Sequence, residues 1–190
     1  MNKREELGTF LRNRKYYQNR LKFILEHIHP ASKDVLDLGC GEMWLKSLSG
    51  TSPECYTGVD HLRYPASGNY ICADLLEYAS SMKKFQQIWL IGVLDHLSFE
   101  KKMQLLGFVK KNFSEHCIIT QHNSFNLFSR FLAKEKPVNL PEIFSDYHIY
   151  QLSLLKWPYS KRVMDLSKFP VLIRMFCTEI VYIIACREEV

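Results

Sequence analysis

A glycine-containing segment near residue 40 restricts the fold of this chain more than any other feature. The apolar run "VLDL" leads through the turn "GCGEM" directly into a helix-like segment, over residues 35–45. Gly39 and Gly41 lie one residue apart, so the backbone can bend tightly and a ligand can approach it without meeting a side chain. The segment therefore predicts a strand, a glycine turn and a helix, with a ligand site at the turn.

Strand-like runs recur along the chain, with helix-length segments between most of them. Three-and-four spacing of apolar residues predicts an amphipathic helix over residues 7–28. Because strands and helices then alternate, we expect a mostly parallel sheet with helices on both faces. The last two runs have no helix-length segment between them, so we expect them to be neighbours with one strand antiparallel. The apolar runs cover residues 34–38, 55–59, 69–72, 86–91, 116–121, 161–166 and 178–186.

Composition and charge indicate one globular domain. At 190 residues the chain is long enough for one well-packed core, and its net charge of +5 comes mostly from the first two dozen residues. Six cysteines without metal-ligand spacing favour reduced thiols over a disulfide framework or a zinc site. A charged N-terminus and short apolar runs favour a cytoplasmic protein without a membrane span.

Two classes of phosphate-binding turn fit the glycine pattern poorly. A dinucleotide fingerprint has a third glycine where helix and strand pack around a pyrophosphate, and this chain has Trp44 there. A P-loop has a longer glycine segment ending in Lys-Ser or Lys-Thr, which the sequence lacks. Both classes are therefore disfavoured.

The remaining pattern is an acidic residue at the end of the strand, Asp37, followed by Gly39 and Gly41. It resembles the first motif of class I S-adenosylmethionine-dependent methyltransferases, in particular the small-molecule and glycan-modifying type. In that family the acidic residue and the glycine backbone hold the methionine part of the cofactor. The family often has a third glycine where this chain has Met43.

Three further segments resemble the family in the expected order. "CYTGVDHL" contains Asp60, about 20 residues beyond the turn, where an acidic group reaches ribose hydroxyls. "YICADLLEY" has Asp74 where the family usually places an acid against the adenine amino group. "FQQIWLIGVLDHL" is similar to the signature of the fourth strand. Asp60 and Asp74 could each instead cap a helix, since each follows a strand-like run and precedes a helical one.

The resemblance implies a Rossmann-like α/β fold with a seven-stranded, mostly parallel sheet and one antiparallel strand. We expect one methyltransferase domain over 1–190, with an N-terminal helix (1–30), a cofactor-binding half (33–125) and an acceptor-side loop with the last strands (126–190). The cofactor would be S-adenosylmethionine, its product S-adenosylhomocysteine, and no metal is expected. The implied cofactor-binding residues are Asp37, Gly39, Cys40, Gly41, Asp60, His61, Asp74, Leu75, Ile91, His96 and Tyr17.

Candidate catalytic residues are histidines that follow strand-like runs, because histidine can accept a proton near neutrality. His148 is our first choice of base and His122 the second, while His96 lies near a helix start and is more typical of a cap. "QHNSFNLFSRFL" and the later "SDYHIYQLS" resemble a family pattern of Asn, Arg and then a histidine before a helix. That resemblance implies that Asn123, Arg130 and His148 line the acceptor pocket.

The predicted reaction is methyl transfer to oxygen or nitrogen of a small-molecule, sugar or lipid-linked acceptor, by a monomer or homodimer. We expect no nucleic-acid partner, since residues 92–97 read "GVLDHL" where base-modifying enzymes carry an Asn/Asp-Pro-Pro-Tyr-like motif. Weak contact with a membrane surface stays open. The main alternative is a non-catalytic protein that binds S-adenosylmethionine or has lost it, which Met43 and Trp44 support. An RNA methyltransferase and a nicotinamide-dependent oxidoreductase are the further alternatives.

Overall fold

The computed structural model describes residues 3–30, 34–62, 69–123, 126, 137–156, 163–165 and 177–186. The helices are α1 (Lys3–Leu25), α2 (Trp44–Ser49), α3 (Leu75–Ser81), α4 (Phe99–Asn112) and the short α5 (Leu140–Ile143). The strands are β1 (Val35–Leu38), β2 (Tyr56–Asp60), β3 (Tyr70–Cys72), β4 (Phe85–Leu90), β5 (Phe113–His122), β6 (His148–Lys156), β7 (Val163–Asp165) and β8 (Glu179–Ala185).

The strands form one mixed sheet in the order β3-β2-β1-β4-β5-β8-β6-β7. The first five strands are parallel neighbours, and β8 runs antiparallel between β5 and β6. The predicted mostly parallel Rossmann-like sheet is confirmed, and the three-residue β7 is added to it at the edge beside β6.

The late part of the chain differs from the sequence-based expectation. Strand β7, the described part of the run predicted at 161–166, pairs with β6, so it is not the neighbour of β8. Strand β6 itself was not predicted, because polar residues interrupt its apolar positions. A local pattern also does not reveal which distant strands pair.

The core lies on both faces of the sheet, as the alternation of strands and helices predicts. Helices α1 and α2 pack on one face, where Leu21, Ile24 and Leu45 are buried. Helices α3 and α4 cover the other face, where Ala79 and Leu105 are buried. Strand β1 is buried along its whole length, as expected for a parallel strand covered on both faces. Among the described residues, no helix is both long enough and apolar enough to cross a membrane.

The chain order reverses around β1, which lies between β2 and β4. In open α/β sheets, ligands bind beyond the carboxyl ends of the strands at such a reversal. The glycine turn directly follows β1. The topology therefore places the predicted ligand site at the carboxyl edge of β1 and its neighbours.

Candidate functional site

The glycine turn has a backbone that favours glycine at both predicted positions. Gly39 has a φ of 76° and Gly41 a φ of 50°, both in the left-handed region. A Cβ on Gly39 would lie only 2.4 Å from Cγ2 of Val93, in the loop after β4. The Gly39 backbone N–H donates to the carbonyl of Val59 at 2.7 Å, which ties the turn to β2. A side chain at position 39 would therefore force apart the loops that follow β1 and β4.

Met43 has a backbone conformation that glycine adopts more readily than other residues. Its φ of 57° and ψ of 40° are left-handed, which is uncommon for a residue with a side chain. The Met43 side chain is buried in the core cluster that includes Ile24 and Leu45. Burial of a methionine side chain stabilises by about 1.5–3 kcal/mol, which offsets a conformational cost of roughly 1–2 kcal/mol. The burial of its side chain therefore accounts for a methionine in this left-handed position.

Asp37 is buried at the end of β1 and accepts a hydrogen bond from the Tyr56 hydroxyl at 2.5 Å. The pKa of Asp37 is raised from 3.8 to about 7. Burial is the largest cause, the nearby Asp60 also raises the pKa, and the hydrogen bond from Tyr56 lowers it. The Asp37 carboxyl group therefore changes its protonation near neutral pH.

Asp60 connects the glycine turn to the loop after β2. Its Oδ2 accepts from the Gly41 backbone N–H at 3.0 Å, and its Oδ1 accepts from the Leu62 backbone N–H at 2.9 Å. Nδ1 of His61 lies 3.2 Å from Oδ1, and the His61 side chain is exposed. Each carboxylate oxygen has two lone pairs; Leu62 and His61 face Oδ1, whereas Oδ2 has one partner and retains capacity for a ligand hydroxyl.

Asp74 is the N-cap of α3, as the capping interpretation predicts. Its Oδ1 accepts from the backbone N–H groups of Leu76 at 2.8 Å and Glu77 at 3.1 Å. The backbone N–H of Ala73 donates to the Asp60 carbonyl at 3.1 Å, so Asp74 lies at the same edge as Asp60. Leu75, the next residue, begins α3 and is half-buried.

The loop after β4 brings an acidic side chain to the end of β5. Ile91 is half-buried there, and His96 is exposed at the end of a 3₁₀ turn. Oδ1 of Asp95 accepts from the His122 backbone N–H at 3.3 Å, and Oδ2 lies 3.7 Å from Nε2 of His122. The structure thus brings Asp95 and His122 together at the carboxyl edge.

A buried charged cluster that the sequence analysis missed lies beneath α1 at this edge. Nη1 of Arg20 lies 2.6 Å from Oε1 of Glu179, and the Tyr16 hydroxyl donates to Oε2 at 2.8 Å. A Cβ on Gly92 would lie 3.1 Å from Nη2 of Arg20, so the guanidinium lies against the loop after β4. Burial lowers the pKa of Arg20, but Glu179, Tyr16 and Tyr17 together raise it by more, so the pKa rises overall. Arg20 lies three residues after Tyr17 and four residues before Ile24, a spacing that places it on the apolar face of the helix. This position was the signal in the sequence that Arg20 is buried.

Comparisons with known proteins identify the fold. No family model and no curated protein sequence matches the chain. Among solved structures, it is similar to an S-adenosylmethionine-dependent methyltransferase from Archaeoglobus fulgidus, with a TM-score of 0.67 and 17% identity over 88% of this chain and 92% of that one. It is also similar to magnesium protoporphyrin IX methyltransferase from Synechocystis PCC 6803, with a TM-score of 0.62 and 14% identity over 90% and 84% of the two chains. N-methyltransferase NodS from Bradyrhizobium japonicum WM9 gives a TM-score of 0.58 and 14% identity over 95% and 98%.

The chain has the class I methyltransferase fold. The first seven positions of the sheet include a single antiparallel strand, β8, as the family resemblance implied. Structural similarity at sequence identities of 14–17% establishes the fold alone. The argument about function therefore depends on the residues at the carboxyl edge.

The methyltransferase fold does not bring His148 to the carboxyl edge. His148 begins β6 and pairs with Ala185, which also pairs with His116 of β5. His116 lies six residues before His122 in β5, a separation of about 20 Å in a strand. His148 is therefore at the opposite edge of the sheet, and its selection as the first choice of base is corrected.

The Asn123 side chain is buried and hydrogen-bonded to the segment before β8. Its Nδ2 donates to the Cys177 carbonyl at 3.0 Å and lies 3.0 Å from the Cys177 sulfur. Asn126 donates to the same carbonyl at 3.0 Å. Both asparagines are buried and fasten the segment that leads into β8, so Asn123 is not an exposed acceptor ligand. Arg130 lies outside the described residues.

Helix α1 also contacts the glycine turn of the methyltransferase fold. Nη2 of Arg14 lies 3.0 Å from Oε2 of Glu42, and Nε1 of Trp44 donates to the same oxygen at 3.0 Å. The rings of Tyr17 and Trp44 have centroids 6.5 Å apart, and the Arg20 guanidinium lies 5.1 Å from the Tyr17 ring. Tyr17 is thus placed between the turn and the buried charged cluster.

Proposed function

We propose that this protein is an S-adenosylmethionine-dependent methyltransferase that transfers a methyl group to oxygen or nitrogen of a small-molecule, sugar or lipid-linked acceptor. The observation that carries the proposal is the hydrogen bond between the Gly41 backbone and the buried Asp60 carboxylate. This bond joins the turn after β1 to the acidic residue at the end of β2. Solved structures of magnesium protoporphyrin IX methyltransferase, which has a similar fold, contain S-adenosylmethionine or S-adenosylhomocysteine.

The donor and acceptor set at the edge fits an adenosyl ligand. Oδ2 of Asp60 has acceptor capacity for a ribose hydroxyl, and the Gly39 and Gly41 backbone would hold the methionine part near Asp37. One oxygen of Asp74 caps α3, which leaves the second oxygen to accept from the adenine amino group. The remaining residues proposed to line the cofactor are Cys40, His61, Leu75, Ile91, His96 and Tyr17.

When bound, S-adenosylmethionine would supply an electrophilic methyl group on a sulfonium sulfur. The protein must then align the acceptor and exclude water from the reacting atoms. Helix α1 lies over this edge through the Arg20–Glu179 and Arg14–Glu42 pairs, which supports a role in excluding water. An acceptor hydroxyl or protonated amine must also lose a proton, and we propose His122 as the base. Its side chain is exposed at the end of β5.

Methyl transfer can be tested with radiolabelled S-adenosylmethionine and a panel of small hydroxyl and amine acceptors. We expect transfer by the wild-type protein and a loss of at least about 100-fold in His122→Gln, the usual contribution of a general base. His148→Gln is the matched control, since it removes a histidine at the opposite edge, and its activity should be unchanged. Binding of S-adenosylmethionine without transfer to any acceptor would instead favour the non-catalytic alternative.

A further inference from the structure

We propose that Asp95 is a positioning residue for His122, and that the two form an acid–base dyad on the acceptor side of the site. This inference rests on the proposed function, since a dyad needs an acceptor proton to remove. Asp95 was not among the residues that the sequence indicated. What brings it to the site is the short 3₁₀ turn Leu94–His96, which follows β4.

Both oxygens of Asp95 face the same residue. Oδ1 accepts from the backbone N–H of His122 at 3.3 Å, and Oδ2 lies 3.7 Å from the ring nitrogen Nε2. The backbone contact fixes the carboxylate relative to the end of β5, and the ring contact sets the direction of the imidazole. Strands β4 and β5 are neighbours in the sheet, so the pair is held between two rigid elements.

The surroundings shield the carboxylate of Asp95 more than the ring of His122. The Asp95 side chain is 18% exposed, whereas that of His122 is 49% exposed. Burial raises the pKa of Asp95, His122 and Lys102 lower it, and Glu179 raises it further. Glu179 is itself paired with Arg20, which limits its repulsion of Asp95. A partly buried carboxylate therefore faces a ring whose other side is accessible.

The geometry assigns different tasks to the two ring nitrogens. In the proposed dyad the neutral ring carries its proton on Nε2, next to Asp95, so that Nδ1 has the lone pair. The acceptor proton moves to Nδ1, and the electron pair it leaves forms the bond to the methyl carbon while the bond from carbon to sulfur breaks with its pair on sulfur. The Asp95 charge stabilises the imidazolium that results, and the exposed ring returns its proton to water.

Nitrogen-15 spectra of the histidine rings test the dyad without an identified acceptor. At about pH 9, where an ordinary histidine is neutral, we expect His122 to be almost entirely in the Nε2–H form with a slowly exchanging ring proton. Exposed His96 in the same spectrum is the internal reference, and His122→Gln assigns the signal. A wild-type His122 signal with the same tautomer distribution and exchange as His96 would overturn the proposal.

Asp95→Asn separates positioning from a merely structural role. The asparagine oxygen can still accept from the His122 backbone N–H, but its amide group cannot accept from Nε2. We expect the Nε2–H population and the ring-proton exchange to become those of exposed His96, while Asp146→Asn, at an exposed ion pair, leaves them as in the wild type. An unchanged His122 signal in folded Asp95→Asn would overturn the proposal. Titration of the same samples with S-adenosylmethionine tests the proposed function separately, because absence of binding to the wild-type protein rejects that function whatever the ring spectra show.

Discussion

Glu179→Gln is expected to be one of the most destabilising conservative changes at the carboxyl edge. Glu179 is 3% exposed and Arg20 is 7% exposed, so the substitution leaves a buried guanidinium without its counter-charge. Removal of one partner of a buried ion pair costs about 3–5 kcal/mol. For a chain of this length that corresponds to a fall in Tm of roughly 10 °C.

The double variant Arg20→Met/Glu179→Gln provides the decisive comparison. Replacing both charges removes the uncompensated guanidinium, and the new side-chain amide oxygen at position 179 could still accept from the Tyr16 hydroxyl. Stability should therefore return to within about 1–2 kcal/mol of wild type. The coupling free energy between the two positions should be at least about 2 kcal/mol.

Urea denaturation followed by circular dichroism measures these free energies of unfolding. Asp146→Asn is the control, because its ion pair with Lys110 is largely exposed and should contribute less than about 1 kcal/mol. Strictly additive effects of Arg20→Met and Glu179→Gln would refute the reasoning, since they would show that the two side chains do not interact.

Three further changes test individual features of the site. Because the pKa of Asp37 is raised to about 7, its stabilising contribution is complete below about pH 4 and is lost as the pH rises through 7. Asp37→Asn should remove this loss when unfolding by urea is measured from pH 4 to 8, and an unchanged pH dependence would contradict the assignment. Gly39→Ala should destabilise by about 2–4 kcal/mol through its φ and the contact with Val93, whereas Gly50→Ala, with a similar φ and open space, should cost only about 1 kcal/mol in thermal unfolding. Asp74→Ala should cost about 0.5–2 kcal/mol through the lost helix cap, and equal stability of Asp74→Ala and Asp74→Asn would argue against that cap.

The sequence predicted the cofactor side of the fold better than the acceptor side. The strands around the glycine turn were recognised because buried parallel strands are continuous apolar runs next to a turn with special backbone needs. Asp37 and Asp60 followed from their positions at strand ends. Asp74 is the helix N-cap that its position before a helical run allows, and its contact with the adenine amino group stays a prediction.

The arrangement of the proposed acceptor side depends on contacts between residues that are distant in the sequence. His148 was selected from its place in the sequence, but the edge at which it lies is set by the pairing of β6 with β8. Arg20 and Glu179 are 159 residues apart in the chain, and no local pattern links them. The proposed role of Asp95 likewise depends on its contact with His122 at the end of β5. These relationships come from sheet order and register, which periodicity does not encode.

Calorimetric titration with S-adenosylmethionine, S-adenosylhomocysteine and NAD tests the central claim most directly. We predict that both adenosyl compounds bind, that NAD does not, and that Asp60→Asn weakens binding at least about 10-fold through lost contacts to the ribose hydroxyls. Asp146→Asn should bind like the wild-type protein. Failure of either adenosyl compound to bind a folded wild-type protein would contradict the claim that the edge of β1 and β2 is a cofactor site.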